Sequence, residues 1–112
     1  MPHPDRSLGK ERRIKRTKEI IEVFKRGKRK ETSFFSLLYR KNNLGYDRLA
    51  VVVNKKFGSA VERNRARRRL REIFRLYRPD RGYDMVIYLK PPAKEADFHR
   101  LREVFLSALE DL

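Results

Sequence analysis

Two short apolar runs with alternating character lie near the middle of the chain. SFFSLLYR and DRLAVVVN are separated by the turn-forming residues KNNLG, and runs this rich in aromatic and β-branched residues are typical of strands. We therefore predict a β-hairpin. One parity of the two runs is bulky and the other is smaller or more polar, so the bulky parity is predicted to face the core. The bulky set is Phe35, Leu37, Tyr39, Leu49, Val51 and Val53.

Apolar residues at helical spacing predict a short helix before these strands. Thr17 is expected to cap this helix at its start. Gly27 is expected to end it in the left-handed conformation. The apolar face of the helix would then consist of Ile20, Val23 and Phe24.

The same periodicity predicts two longer helices in the second half of the chain. The first of them is expected to end at Pro79, with Ala66, Leu70, Ile73, Phe74 and Tyr77 as its apolar stripe. The second is expected to begin after Asp97 as N-cap. Its apolar positions are Phe98, Leu101, Phe105, Ala108 and Leu112.

A third strand, YDMVIYL, follows the middle helix. The distance along the chain from the preceding strand is long enough for a parallel crossover through that helix. The order α-β-β-α-β-α predicts an α+β sandwich with a small mixed sheet. We expect residues 13–112 to form one domain and residues 1–12 to be a basic, mobile tail.

Charge narrows the possible partners of this domain. The formal net charge is +15 and the pI is near 10.7, with lysine and arginine outnumbering acids two to one. Such a surface attracts nucleic acid. The chain has no cysteine, which excludes thiolate metal sites and disulfides. Without a signal-peptide pattern or a bilayer-length apolar run, we expect a cytoplasmic location, no membrane association and no obligate protein partner.

Arginine is concentrated on one side of the middle helix, in the stretch KKFGSAVERNRARRRLREIFR. At 100° per residue its cations gather opposite the apolar stripe. Solvated helices usually mix both signs, whereas this helix has few acids. Arginine presents a rigid fork of donors that matches phosphate oxygens, and the helix start favours an anion. The pattern therefore predicts contact with a nucleic-acid backbone.

The run Lys55, Lys56, Phe57, Gly58, Ala60, Val61, followed by Arg63-Asn64-Arg65 and Arg67-Arg68, resembles the arginine-asparagine-arginine motif of the bacterial ribonuclease P protein family. The resemblance also covers the order of strands and helices, from about Arg13 to Leu109. It implies a noncatalytic cofactor of a large catalytic RNA that removes the 5′ leader from precursor transfer RNA. It also implies an unusual left-handed β-α-β crossover, against the general right-handed rule.

The resemblance further implies two sets of binding residues. The catalytic RNA would be contacted by Lys55, Lys56, Arg63, Asn64, Arg65, Arg67, Arg68 and Arg71. The single-stranded leader would lie in a cleft formed by Ile20, Phe24, Ser36, Leu38, Ala50, Val52 and Asn54. Two positions depart from the family pattern. Ile20 stands where an aromatic is frequent, which removes a stacking face there, and Ala66 replaces a larger aliphatic residue.

Two alternative functions fit parts of the sequence. A protein nuclease would need paired histidines or clustered carboxylates, but His3, His99, Asp80 and Asp84 are more simply explained as surface and turn residues. The resemblance implies that the ribonucleoprotein uses Mg²⁺ and that the RNA holds most of it. A ribosomal or other basic structural RNA-binding protein fits the composition equally well. Sequencing the RNA that copurifies with the protein would separate that alternative from the resemblance.

Overall fold

The computed structural model describes residues 12–77, 80–110 and 112. These residues form three α-helices, a four-stranded sheet and short 3₁₀ turns at Lys55–Phe57 and Pro91–Lys94. The elements in chain order are α1 (Thr17–Arg26), β1 (Lys28–Glu31), β2 (Phe35–Lys41), β3 (Arg48–Val52), α2 (Ala60–Tyr77), β4 (Tyr83–Leu89) and α3 (Phe98–Leu109). The predicted α+β class is confirmed, with one additional strand, β1.

The sheet has the strand order β1-β2-β4-β3. The predicted hairpin between β2 and β3 is wrong, because β4 lies between them: Leu37 of β2 and Val51 of β3 are both partnered with Ile87. β4 is apolar along most of its length and buried on both faces, so it occupies an interior position. β3 runs parallel to β4, which confirms the parallel crossover through α2. The hand of that crossover stays a prediction.

One face of the sheet carries the main core. Phe35, Leu37 and Leu49 are fully buried there, and the other bulky positions of β2 and β3 pack against them, which confirms the predicted parity. α2 and α3 contribute most of the remaining core side chains. Tyr77 is an exception to the predicted stripe. Its side chain is 38% exposed at the end of α2, where Arg102 lies over its ring.

The opposite face of the sheet is covered by α1 and by the segment before it. Val23 of α1 and Ile14 pack there on Leu38, Ala50 and Val86, with Ile20 and Val52 partly buried around them. Ile14 is fixed by its backbone N–H, which donates to the carbonyl oxygen of Leu49 at 3.0 Å. This smaller cluster holds α1 against the middle of the sheet.

The helix ends differ from the expectations in two places. The N-cap of α1 is Arg16, without a side-chain cap, so Thr17 is already the first helical residue. Gly27 is extended, with φ −80° and ψ 167°, rather than left-handed. Its glycine identity has a steric reason: a Cβ there would lie 2.5 Å from the carbonyl oxygen of Val23 and 2.7 Å from that of Tyr39. The predicted Asp97 cap of α3 is confirmed, since its carboxylate accepts from the N–H of Arg100 at 2.8 Å.

The predicted tail and the predicted helix stop fall mostly outside the described residues, which do not include residues 1–11 or Pro79. Arg12, the last residue of the predicted tail, forms an ion pair with Asp80. Its guanidinium also lies 4.8 Å from the centre of the Tyr46 ring. These contacts join the start of the described chain to the loops before β3 and β4.

Candidate nucleic-acid interface

The outer face of α2 carries five arginines that have no ion pair with a carboxylate among the described residues. They are Arg63, Arg65, Arg67, Arg68 and Arg71. The two acids of the helix are used elsewhere: Glu62 accepts from the Ser59 N–H at 2.9 Å, and Glu72 pairs with Arg75. We call these five residues the arginine face. Its charge is therefore not compensated by any carboxylate of the described residues.

Two polar contacts orient side chains on or beside the arginine face. The Asn64 side-chain oxygen accepts from a guanidinium N–H of Arg67 at 2.9 Å, so the asparagine holds one arginine in place. Arg69 points the other way and donates to the carbonyl oxygen of Ala96 at 3.0 Å, which ties α2 to the segment before α3. Of the arginines in this stretch, Arg69 is therefore structural.

The predicted lysines lie just before α2. Lys55 and Lys56 are exposed in the 3₁₀ turn, whose third residue, Phe57, is buried in the core as its anchor. Asn54 caps the turn by accepting from the N–H of Lys56 at 2.9 Å. α2 then starts with a reciprocal cap, because the Ser59 hydroxyl accepts from the N–H of Glu62 at 3.1 Å. Both lysines are thus presented from a well-fixed turn at the positive end of the helix dipole.

Arg71 connects the arginine face to the segment before α1. Burial, followed by the nearby charges of Arg13 and Arg67, lowers the pKa of the Arg71 guanidinium. The Nε of Arg13 is itself buried and has no hydrogen-bond partner among the described residues. Arg13, Lys15 and Arg71 line one cavity of about 270 Å³ together with Ile20 and Ala50. An anion entering this cavity would relieve both the repulsion and the unsatisfied donor.

The predicted leader-binding residues lie on the α1 side of the sheet, but they differ strongly in exposure. Leu38 and Ala50 are buried beneath α1, in the small cluster with Val23. Ser36 is also buried, and its hydroxyl donates to Glu31 at 2.6 Å. These three residues form the floor under α1 rather than an open surface.

The open part of the cleft lies at one end of α1. Phe24 is 39% exposed and meets Tyr88 in an edge-to-face contact, with ring centres 6.4 Å apart. The hydroxyl of Tyr88 accepts from the side-chain amide of Asn54 at 2.8 Å. Val52 lies beside them, partly buried, and is the register partner of Tyr88. An aromatic side chain and an amide therefore line the same opening.

Comparison with known proteins decides the family. A sequence profile of the family described as Ribonuclease P matches residues 8–112. The chain belongs to that family. It is 36% identical over 110 residues to the ribonuclease P protein component of Thermotoga maritima, covering 93% of this chain and 94% of the relative. It is 39% identical over 92 residues to that of Thermoanaerobacter sp., covering 80% and 79%.

Solved structures of the family have the same fold. The RNase P protein of Thermotoga maritima superposes with a TM-score of 0.80 at 33% identity, covering 89% of this chain and 96% of that one. The RNase P protein of Staphylococcus aureus superposes with a TM-score of 0.81 at 26% identity, covering 88% and 93%. Ribonuclease P protein components are subunits of the endoribonuclease that processes the 5′ end of transfer RNA, so this chain has an RNA partner in a holoenzyme.

Ribonuclease P membership also decides between the alternatives drawn from the sequence, and the ribosomal-protein alternative is set aside. Of the residues considered for a protein nuclease, His99 is exposed on α3. Asp84 is engaged by Arg48 in a two-pronged ion pair, with N–O distances of 2.8 and 2.7 Å. His3 lies outside the described residues.

No set of three His, Cys, Asp or Glu side chains that could hold a metal ion occurs in the described ranges. The acids near the cleft are taken up by arginines: Arg48 binds Glu19 as well as Asp84, and Glu22 pairs with both Arg26 and Arg40. The described side chains of this ribonuclease P protein therefore do not fit a protein-held magnesium site. No described helix combines the length and the apolar character needed to cross a membrane.

Three features of this ribonuclease P protein were missed from its sequence. Arg13 and Tyr88 were not assigned to a site, because only the fold brings Arg13 beside Arg71 and Tyr88 beside Phe24. The reciprocal cap of α2 has a recognisable signal, the serine and glutamate of SAVE, three positions apart.

Proposed function

We propose that this chain binds the catalytic RNA of ribonuclease P through the arginine face of α2 and the lysines before it. The observation that carries the proposal is the set of five arginines on one helix face with no carboxylate partner among the described residues. Like charges on neighbouring turns destabilise a helix. A polyanion that neutralises them both removes this cost and gains from counterion release.

The proposal includes Arg13 in the RNA contact. Its Nε is buried without a hydrogen-bond partner among the described residues, and Arg13 lines the same cavity as Arg71, whose pKa is lowered by burial and then by Arg13 and Arg67. A phosphate oxygen between the two side chains would accept from both and stabilise both charges. The catalytic-RNA site would then extend from Lys55 and Lys56, along α2, to the segment before α1.

The 5′ leader of precursor transfer RNA is the second proposed ligand. Phe24 and Tyr88 supply aromatic surface at the open end of the cleft, and the amide of Asn54 lies next to them. An unpaired base against such a surface contributes about 1 to 3 kcal/mol. The buried residues Ser36, Leu38 and Ala50 would act as the support of α1 rather than as direct contacts.

In this proposal the RNA performs the cleavage and holds the Mg²⁺ on which it depends. The protein positions the precursor and screens the charge where two RNAs approach each other. The acids beside α1 and the sheet, Glu19, Glu22 and Asp84, are engaged with arginines, which supports a role without protein acid-base chemistry. A cytoplasmic location, without an obligate protein partner, belongs to the same proposal.

Replacing Arg65 and Arg68 together by Ala tests the catalytic-RNA contact. Both side chains are exposed, so folding measured by circular dichroism should be unchanged. Each lost phosphate contact lowers the slope of log affinity against log salt by about 0.7 to 0.9. The double variant should therefore bind the catalytic RNA more weakly, with a slope lower by about 1.4 to 1.8.

A matched control removes the same charge from a different helix. Arg100 and Arg102 lie on α3, where they contact the rings of Phe34 and Tyr77. Their replacement by Ala should leave the salt slope close to that of the parent protein. Equal losses in the two double variants would mean that only net charge matters, which contradicts a defined contact through α2.

Phe24→Leu tests the leader contact. The change keeps an apolar side chain of similar size on α1 but removes the aromatic face that meets Tyr88. We expect nearly unchanged melting, unchanged affinity for the catalytic RNA, and a reduced preference of the holoenzyme for precursor over mature transfer RNA. The control is Ile21→Leu, also exposed on α1. Lower melting with an intact preference would identify Phe24 as a core residue instead.

A further inference from the structure

Burial decreases steadily along the core face of β2. Phe35 and Leu37 are fully buried, Tyr39 is half-buried, and Lys41 is exposed, although all four lie on the same face because side chains alternate along a strand. The core therefore covers Tyr39 only in part and leaves Lys41 uncovered. This end of the sheet face is open to solvent.

The strand register places two aromatic rings and two cations side by side at this open end. Tyr39 is partnered with Lys28 of β1, and Lys41 is partnered with Tyr83 of β4. Directly opposed residues in antiparallel strands share a face. The rings of Tyr39 and Tyr83 meet edge to face with centres 5.8 Å apart, and the Lys41 ammonium lies 5.9 Å from the centre of the Tyr83 ring.

These residues enclose a cavity of about 330 Å³, which we call the tyrosine pocket. It is lined by Arg26, Lys28, Tyr39, Arg40, Lys41 and Tyr83. The lining contains no carboxylate. Arg26 and Arg40 both pair with Glu22, which is outside the lining. Lys28 and Lys41 have no ion pair with any described residue, so the pocket carries uncompensated positive charge beside two half-buried aromatic rings.

We propose that the tyrosine pocket binds an unpaired nucleotide of an RNA strand, a contact additional to the arginine face and the leader cleft. The base would lie against the exposed side of the tyrosine rings, and the ammonium groups of Lys28 and Lys41 would meet the flanking phosphates. Stacking on aromatic rings combined with a cationic track is how single strands are held without sequence readout. The pocket shares no residue with the two sites proposed above.

An RNA strand fits this chemistry better than an acidic peptide does. A carboxylate-rich peptide would satisfy the two lysines but would leave the tyrosine rings without a flat apolar partner, whereas a nucleotide supplies both an anion and a π face. The proposal rests on the proposed function only in taking RNA as the partner class. It is tested by signals that are separate from those of the other two sites.

The experiment uses the full chain with ¹³C-labelled tyrosine rings and follows the ring resonances by NMR. The chain has five tyrosines, so each is resolved and assigned by single Tyr→Phe variants. A short oligouridylate without structure is the probe. We expect Tyr39 and Tyr83 to shift together and to saturate, and inorganic phosphate at the same ionic strength to leave both rings largely unmoved.

Tyr88 is an internal reporter of the leader cleft in the same spectra, since it contacts Phe24 there. Shifts at Tyr88 without shifts at Tyr39 and Tyr83 would overturn the tyrosine pocket and leave the proposed leader contact intact. Shifts at Tyr39 and Tyr83 without a shift at Tyr88 would support the tyrosine pocket and contradict the proposed leader contact. An acidic peptide such as hexaglutamate that shifts Tyr39 and Tyr83 as strongly as the RNA would also overturn the proposal.

A charge variant separates pocket binding from net charge. Lys28→Ala with Lys41→Ala should reduce oligouridylate binding at Tyr39 and Tyr83 and lower its salt slope by about 0.7 per lysine. The matched control is Lys25→Ala with Lys94→Ala, two exposed lysines outside the pocket. Equal effects of the two double variants on the Tyr39 and Tyr83 shifts would overturn the assignment.

Discussion

Two groups of charged residues in this protein are treated in opposite ways by the fold. At the start of β3 and β4, Arg48 is held by Asp84 and Glu19, and the pKa of its guanidinium is raised chiefly by the hydrogen bonds to Asp84. On α2, burial lowers the pKa of Arg71, and the nearby charges of Arg13 and Arg67 lower it further. One group has carboxylate partners inside the chain, and the other has no carboxylate partner among the described residues.

The paired group continues into the loop before β4 through Asp47. This carboxylate is fully buried and accepts from the backbone N–H groups of Asp80, Arg81 and Tyr83 at 2.9, 3.1 and 2.8 Å. It fixes the loop that carries the chain from α2 into the sheet. The contrast with α2 is that charges with internal partners serve folding here, whereas the charges without carboxylate partners among the described residues are the ones we propose to contact RNA.

The largest expected effect comes from breaking the paired group. Asp47→Ala leaves three backbone N–H groups of the loop without an acceptor, and each unsatisfied buried donor costs about 1 to 3 kcal/mol. We expect the free energy of unfolding in urea to fall by about 3 kcal/mol or more. Asp47→Asn retains one acceptor oxygen, so its free energy of unfolding should lie between that of the parent and that of Asp47→Ala.

The RNA affinity of the folded fraction sharpens the same comparison. Asp47 lies away from the arginine face, so Asp47→Asn should bind the catalytic RNA with a normal salt slope at a temperature where it is folded. A changed slope at full folding would show that the two groups are not independent. A urea midpoint equal to that of the parent would contradict the assigned role of the Asp47 carboxylate.

Local patterns in the sequence predict the elements that depend on local physics. The apolar stripes of α2 and α3 and the core parity of β2 and β3 follow from spacing alone, since each repeats every 3.6 or 2 residues. The neighbours of the strands were not predictable in this way. β1, KRKE, has no apolar side chain and is a strand only because β2 offers it an edge. The interior position of β4 depends on burial across the whole sheet.

The same distinction between local and long-range features applies to the candidate site. The arginine face follows from helical geometry, and the structure brings its members together as expected. The proximity of residues from distant parts of the chain, such as that of Arg13 and Arg71, has no signal in the sequence. The solvent exposure of individual side chains could not be predicted from the sequence either. Leu38 and Phe24 are both apolar residues of the predicted cleft, yet only Phe24 is open to solvent.

An intermediate effect is expected at the N-terminus of α2, where an acid sits beside the arginine face. The pKa of Glu62 is lowered, mainly by the hydrogen bond from the Ser59 N–H. A carboxylate with a lowered folded pKa contributes stability above its ordinary pKa and loses it as pH falls through the folded value. Glu62→Gln should therefore be less stable than the parent near neutrality and should converge with it in acid.

The measurement is urea unfolding as a function of pH. Glu31→Gln is the control, because the pKa of Glu31 is also lowered, first by the Ser36 hydroxyl and then by Lys90, on the far strand β1. In both variants the free energy of unfolding should change less steeply with pH in the acid range than it does in the parent. Only Glu62→Gln should also change the helical circular dichroism of the folded protein, because Glu62 belongs to the cap of α2. A pH-independent difference between Glu62→Gln and the parent would contradict the linkage.

The smallest expected effect is a gain of stability when one positive charge of the arginine face is removed. Arg67 and Arg71 lie four residues apart on α2, and such a like-charge pair destabilises a helix by about 0.2 to 0.5 kcal/mol. Arg71→Met keeps the length of the half-buried side chain and removes its charge. The free energy of unfolding should therefore rise by about that amount at low salt, and by less at high salt, where the repulsion is screened.

The same variant should bind the catalytic RNA more weakly, with a salt slope lower by about 0.7 to 0.9. Arg100→Met on α3, which relieves no such repulsion, should change neither quantity. A loss of stability in Arg71→Met with unchanged RNA affinity would place Arg71 in the paired group, and the division between the two groups would fail at that residue.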